Sequence, residues 1–473
     1  MINNGPLTLV IDQGTHATRA LVFDADGRIQ TAAYAPIALQ RYGADRVEQD
    51  GQEIIASAHQ VIRAALADPA LRRGVARAGV ATQRSSVVAW DRETGAALSP
   101  VLSWQDRRAA DWLSRFSAHA PEVKRRTGLP LSPHYGASKL RWLLDHDPAV
   151  QAAQRRGALA FGPLASFLLF HLLAERPLLA DHANAARTLL WNMETRDWDP
   201  WLLELFGVPP AALPACRPIC APYGRLQAAD VPVTAVNGDQ NAAVFALGRP
   251  SSNKAVVNVG TGAFILLPTG AAPAAHPSLL SGLIHSDAAG GVYTIEGTVN
   301  GAGAALEWAA QSWRLPQPER NLPRWLARAA APPLFLNTIG GLGSPFWRPG
   351  PPPALLGEGD AGQQAVAVVE SILFLLYANL ETMAAMGLPV RELQISGGLA
   401  RLDGLCRRLA DLSGLPVYRP AETEATARGA AFLAAGLPRR WPRPGRGRVF
   451  RPRPDPALAA RYREFRARIA AEE

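Results

Sequence analysis

Two neighbouring stretches near the middle of the chain decide how the rest is read: Val236-Asn-Gly-Asp-Gln-Asn-Ala-Ala-Val-Phe245 and Ala255-Val-Val-Asn-Val-Gly-Thr-Gly-Ala-Phe264. In the first, Asp239 stands between Gly238 and Gln240, ahead of the short apolar run Ala242 to Leu247. In the second, an extended β-type run is broken by Gly260-Thr-Gly262. The second stretch echoes the N-terminus, where Leu7-Thr-Leu-Val-Ile-Asp-Gln-Gly-Thr15 runs into Arg19-Ala-Leu-Val-Phe-Asp24. A phosphate-type turn therefore occurs near the start of each half, with a lone carboxylate at the join. The layout suggests two related domains closing on a phosphoryl donor and an acceptor hydroxyl.

Working outward, Leu7–Ile11, Arg19–Phe23 and Arg28–Pro36 are separated by Gly and Asp/Gly turns, which predicts a three-stranded antiparallel meander. Gly51–Leu66 has helical period, with Ile54, Ile55, Ala58, Val61, Ile62 and Ala65 on one face. Strands follow at Gly79–Thr82 and Ser86–Trp90. Three strands, a helix and further strands are how an actin-like or ribonuclease-H-like α/β domain begins. Beyond the centre, Gly291–Gly297 leads into a glycine-started helix at Gly301–Trp308, and Gly362–Met386 is a long apolar helix. Leu393–Gly398 is a strand entering a glycine turn, backed by a helix over Ala400–Ser413. The small residues of Glu424–Ala435 predict a tightly packed final core helix, and Pro-rich Leu213–Gly224 reads as a surface connection.

The chain has 473 residues, 48% hydrophobic and 19% charged, which predicts two or three domains with large cores. The net charge of +9 is concentrated at the end: Pro438–Glu473 holds eleven arginines against four acidic residues. With no aromatic-interleaved basic module beside it, this segment reads as a solvated extension, and no nucleic-acid partner is expected. Cys216, Cys220 and Cys406 make neither a complete disulfide framework nor a metal-ligand spacing. Met1-Ile-Asn-Asn-Gly-Pro lacks the basic and apolar regions of a signal peptide, and apolar Ala158–Ala174 is broken by Gly162-Pro163. The expectation is a soluble cytoplasmic protein with no membrane partner.

At the turns, a carboxylate beside Gly and Thr at a strand end suits phosphate and divalent-metal handling. Glycine lets the backbone approach phosphate oxygens, Thr15 offers a hydroxyl, and Asp12 can hold Mg²⁺ directly or through water. Asp-x-Gly-Thr alone also fits a plain hairpin. Val259-Gly-Thr-Gly262 and Ser396-Gly-Gly398 make hairpins alone a poor account of three such turns. Asp239 reads either as a cap or turn residue or as the general base for an acceptor hydroxyl.

Asp12-Gln-Gly-Thr15, Gly238-Asp-Gln240, Gly260-Thr-Gly262 and Ser396-Gly-Gly398 through Gly429-Ala-Ala resemble, in order and spacing, the FGGY carbohydrate kinase family. The resemblance runs from about Leu7 to Gly436, and within the family it is strongest to the glycerol kinases. It implies an α/β fold of two actin-like (ribonuclease-H-like) ATPase domains with the active site in the cleft between them. Its expected boundaries are residues 1–242 for the acceptor and first phosphate turn, 243–437 for the nucleotide, and 438–473 for the extension. ATP and Mg²⁺ would be co-substrates, with a small polyol or sugar as acceptor; a homodimer or homotetramer stays open.

The resemblance also assigns residues. Asp239 would be the base and Asp12 the metal-side carboxylate. Thr15, His16, Arg19, Thr261 and Gly262 would line the phosphates, and Gly303, Gly398 and Leu399 would flank the nucleotide. Arg84, Ser85, Trp104, His134, Gln240 and Phe264 would surround the acceptor with Asp239. Departures from the glycerol-kinase pattern are Ser85 for Glu, His134 for Tyr (with Tyr135 adjacent), His16 for Thr, and Leu402 where Asn is frequent. The first two leave room for a larger polyol or a ketose, so a pentulose acceptor remains an alternative to glycerol. A non-catalytic actin-like ATP-binding protein is the alternative of another class.

Overall fold

The computed structural model describes residues 5–328, 331–421, 424–443 and 445–470. The first half opens on strands β1 (Leu7–Gln13), β2 (Ala17–Phe23) and β3 (Ile29–Pro36), antiparallel as the turn residues predict. Helix α1 (Gly51–Ala65) is capped by the Asp50 carboxylate, which accepts from Gln52 N, and it buries the six apolar residues of the predicted face. Strand β4 (Val75–Thr82) then runs parallel to β1. Strand β5 (Val87–Asp91), helix α2 (Gly136–His146), strand β6 (Leu159–Pro163) and helix α3 (Leu164–Leu172) build an outer layer, in which β5 and β6 pair in a smaller five-stranded sheet. Strand β7 (Cys220–Leu226) and strand β8 (Val231–Gly238) complete the main sheet, and short helix α4 (Asp239–Ala243) starts at the carboxylate. The sheet order is β7-β8-β4-β1-β2-β3.

The second half repeats the plan. Strands β9 (Lys254–Val259), β10 (Ala263–Gly270), β11 (Leu280–Asp287) and β12 (Gly290–Val299) lead to helix α5 (Gly303–Ser312) and to helix α6 (Ala361–Ala385). Strand β13 (Glu392–Ser396), helix α7 (Asp403–Ser413) and strand β14 (Val417–Arg419) follow, then helix α8 (Ala425–Ala434), strand β15 (Arg448–Phe450) and helix α9 (Pro456–Ala470). The sheet order is β11-β12-β10-β9-β13-β14-β15, with β9 antiparallel to β10 and parallel to β13. Among the described residues α6 is the one helix long and apolar enough to cross a membrane, and 83% of its apolar window is buried inside the protein.

Three expectations are corrected. The stretch Leu213–Gly224 is not merely a surface connection: from Cys220 onward it forms edge strand β7, which tolerates Pro222 because an edge strand need not donate on both sides. The last core helix is not α8, and α8 packs on β1, β4 and β8 of the first sheet although it follows the second sheet in sequence. Its Gly429 makes this possible, since a Cβ there would lie 1.8 Å from the Ala242 carbonyl oxygen. Nor is the arginine-rich segment a solvated extension. Strand β15 pairs with β14, and α9 buries Leu458, Tyr462, Phe465 and Ile469 on a helical stripe against the second core. Two arginines of α9 are paired with acids of α6: Arg461 meets Glu370 at 2.7 Å and Arg466 meets Glu381 at 3.0 Å. The arginine count concealed a core-facing stripe.

Candidate active site

Three parallel strands of the first sheet, β8, β4 and β1, end side by side, with Gly238 opposite Thr82 and Thr82 opposite Gln13. Their carboxyl ends therefore present Asp239, Arg84 and Asp12 along one edge, where ligands of open α/β sheets bind. Asp12 is buried and lies across from Arg19, whose guanidinium is 3.4 Å away. Burial pushes its carboxyl up to about 7, against the pull of Arg19, and the negative charges of Asp239 and Glu424 add to the rise. Arg19 also lies 3.9 Å from Glu424, which begins α8.

Asp239 is about one third exposed, and its Oδ1 lies 3.9 Å from Arg84 Nε. Desolvation by the surrounding protein raises its pKa, while Arg84 and the backbone N–H of Gln240 pull it down; the net direction is upward. Arg84 itself is held from behind. Its Nη1 donates to Asn241 Oδ1 at 2.7 Å and to Glu296 Oε2 at 3.2 Å, and its Nη2 donates to Glu296 Oε1 at 3.0 Å. Arg187 also donates to Glu296, and Glu296 is carried by β12 of the second sheet. Burial alone would raise the Glu296 carboxyl, but Arg187 and Arg84 hold it below the usual range.

The remaining residues expected on the acceptor side gather beside this cluster. Trp104 Nε1 donates to Thr15 Oγ1 at 3.0 Å, and its ring lies 5.7 Å from that of His134. The first glycine turn and Trp104 thus share a direct contact through Thr15. Ser85 sits in the left-handed region at φ 65°, and its carbonyl accepts from buried Lys139, as does that of His134. Ser85 Oγ and Gln240 Oε1 are buried with no hydrogen-bond partner among the described residues. Burial keeps the His134 ring neutral, with Arg107 and Lys139 adding to the effect. Phe264 is half-buried on β10, opposite Thr298 of β12, and packs with the cluster containing Phe245.

On the other side, β9 and β13 run parallel, and Asn258 Nδ2 donates to Ser396 Oγ at 3.2 Å, so the two glycine turns that follow lie together. Gly303 N donates to Gly260 O at 2.9 Å, and a Cβ on Gly303 would lie 2.8 Å from that same oxygen. The start of α5 is therefore locked onto the turn holding exposed Thr261 and half-buried Gly262. Gly398 is exposed, Leu399 is half-buried beside it, and His16 is exposed at the tip of the first turn.

This arrangement, two repeated sheets with glycine turns facing a carboxylate, matches known proteins along nearly its whole length. Residues 7–246 match the model of the N-terminal domain of the FGGY family of carbohydrate kinases, and residues 255–436 match that of its C-terminal domain. The chain belongs to the FGGY family of carbohydrate kinases. It is 38% identical over 446 residues to the glycerol kinase of Trichlorobacter lovleyi, and 36% identical over 442 residues to that of Citrifermentans bemidjiense. Each alignment covers 90% of this chain and 89% of the relative. In fold it is similar to Plasmodium falciparum glycerol kinase with ADP, at TM-score 0.88 and 21% identity over 99% of this chain and 98% of the other. Xylulose kinase of Rhodospirillum rubrum superposes at TM-score 0.83 with 22% identity over 98% of both chains. This FGGY protein is an ATP-dependent kinase that phosphorylates a hydroxyl of a small polyol or sugar.

The kinase's carboxylates also fit a divalent cation. Asp12 is buried yet repelled by Asp239 and Glu424, so a cation on the phosphate side would relieve it. No cluster of three or more His, Cys, Asp or Glu able to hold a metal exists among the described residues. Glu296, Asn241 and Arg187 were not singled out from sequence. The signal for Glu296 was a lone carboxylate between Ile295 and Gly297 in an apolar strand, where burial demands a partner.

Proposed function

We propose that this chain transfers the γ-phosphoryl group of ATP to a primary hydroxyl of glycerol, with Asp239 as the general base. The observation that carries the reading is Asp239 at the end of β8, partly open and 3.9 Å from an arginine that is itself rigidly held. The acceptor hydroxyl gives its proton to the Asp239 carboxylate as its oxygen attacks the γ-phosphorus, and ADP leaves. Arg84, Gln240, Trp104 and Phe264 would orient the acceptor, while Thr15, Arg19, Thr261 and Gly262 would line the phosphates. Gly303, Gly398 and Leu399 would flank the nucleotide. Asp12 would hold Mg²⁺, which when bound neutralises charge on the phosphates. Positioning and charge stabilisation carry most such catalysis, and closure of the two halves excludes water. Three free cysteines suit a reducing, cytoplasmic location.

Glycerol is favoured by the relatives named above and by the match at Arg84, Trp104, Gln240 and Phe264. A pentulose is the second reading, and Ser85 favours it: its short hydroxyl is buried without a partner where the glycerol-kinase pattern has a carboxylate. Phosphorus NMR of ATP with each acceptor tests both. A new phosphomonoester coupled to a methylene supports the proposal with glycerol and the second reading with a pentulose. Unchanged ATP with every acceptor refutes both.

A further inference from the structure

We infer that Glu296 is a positioning residue for the acceptor, reaching across from the second half of the molecule to set the orientation of Arg84. The inference rests on the acceptor site proposed above and deepens it. A guanidinium has five N–H donors in a fixed plane. Glu296 takes one from Nη1 and one from Nη2 of Arg84, and Asn241 takes the other on Nη1. What remains is one N–H on Nη2 and the Nε–H, and Nε is the atom 3.9 Å from Asp239. The side of Arg84 left for a ligand is thus fixed by which side Glu296 occupies, and it is the side beside the base.

Glu296 cannot do this by touching the acceptor in the open cleft, because its side chain is only 2% exposed beneath Arg84. Arg187 donates to Glu296 from the other side and so braces its carboxylate. Arg84, Arg187 and Asp239 all belong to the first half; Glu296 alone comes from the second. A few residues beyond it, β12 enters α5, whose Gly303 is locked to the Gly260 turn. One strand therefore connects the acceptor arginine to the turn on the phosphate side. Buried ion clusters are a poor source of folding stability, whereas a bidentate carboxylate is an effective means of fixing a guanidinium plane.

The test is a mutant cycle on KM for the acceptor and for ATP, using the acceptor that the wild-type enzyme turns over. Glu296→Gln keeps the shape but turns one oxygen into a donor facing arginine donors. It is expected to raise the acceptor KM about tenfold or more while the ATP KM stays within about twofold. Arg84→Met should raise the acceptor KM as well. Adding Glu296→Gln to Arg84→Met should then change it less than about twofold, because the carboxylate has nothing left to orient. Full additivity, an equal rise in both KM values, or no effect of Glu296→Gln would overturn the inference. If Glu296→Gln does not fold, Glu296→Asp, which keeps the charge but draws the carboxylate back by one methylene, takes its place in the same cycle with the same expected and overturning results. A wild-type enzyme that turns over no acceptor would refute the kinase proposal itself, a separate outcome.

Discussion

At the scale of single residues, Asp239 is subject to opposing forces: desolvation favours its acid form, and Arg84 favours the carboxylate. A base must be ionised, so kcat/KM falls as pH drops through its pKa in the folded enzyme. Because that pKa is raised above 3.8, the acid limb should lie above the ordinary aspartate range. Arg84→Met removes a lowering charge and should move the limb to higher pH; a pH profile in which the limb stays or moves down would count against this pairing. In the acceptor pocket, Ser85→Glu should lower the glycerol KM relative to that for pentuloses, read from paired steady-state assays. Asp239 and Asp12 were legible as candidates because each stands at the end of a β-type run beside a glycine, and Arg84 was a candidate only through the family resemblance. Arg187 lies in a turn with no motif beside it, and its pairing with Glu296 joins positions far apart in the chain, which no local period or spacing records.

At the scale of elements, the meander, α1, α5 and α6 were legible because apolar period and glycine punctuation act locally. The crossing of α8 onto the first sheet and the docking of α9 were not, since both depend on surfaces made elsewhere in the chain. Each makes a prediction. Gly429→Ala would place a methyl against the Ala242 carbonyl, where backbone must move, and should destabilise by about 3 kcal/mol in denaturant unfolding. Phe465→Ala empties a site packed against Phe374 and should cost about 3–5 kcal/mol in the same measurement. A loss below ~1 kcal/mol would return the arginine-rich segment to the solvated extension that its composition suggests.

At the scale of the whole molecule, the repeated sheet order and the edge joining Asp12, Arg84 and Asp239 make one cleft from two similar halves. The halves meet through α8, through the Arg84–Glu296 pair, and through Asn237 and Asn241, which donate to the Ile284 and Leu283 carbonyls of β11. Repetition was readable because Asp-Gln-Gly-Thr and Gly-Thr-Gly each follow a β-type run; how the halves meet was not. The central claim is that this cleft moves phosphate to a hydroxyl with Asp239 as base. The most direct measurement is ADP release across a panel of polyols and ketoses, run with the wild type and with Asp239→Asn. The account predicts acceptor-stimulated ADP release by the wild type on glycerol or a pentulose, and a fall of about 10²–10⁴ in kcat for the variant. ATP binding with no stimulation by any acceptor, or an Asp239→Asn enzyme as active as its parent, would contradict it.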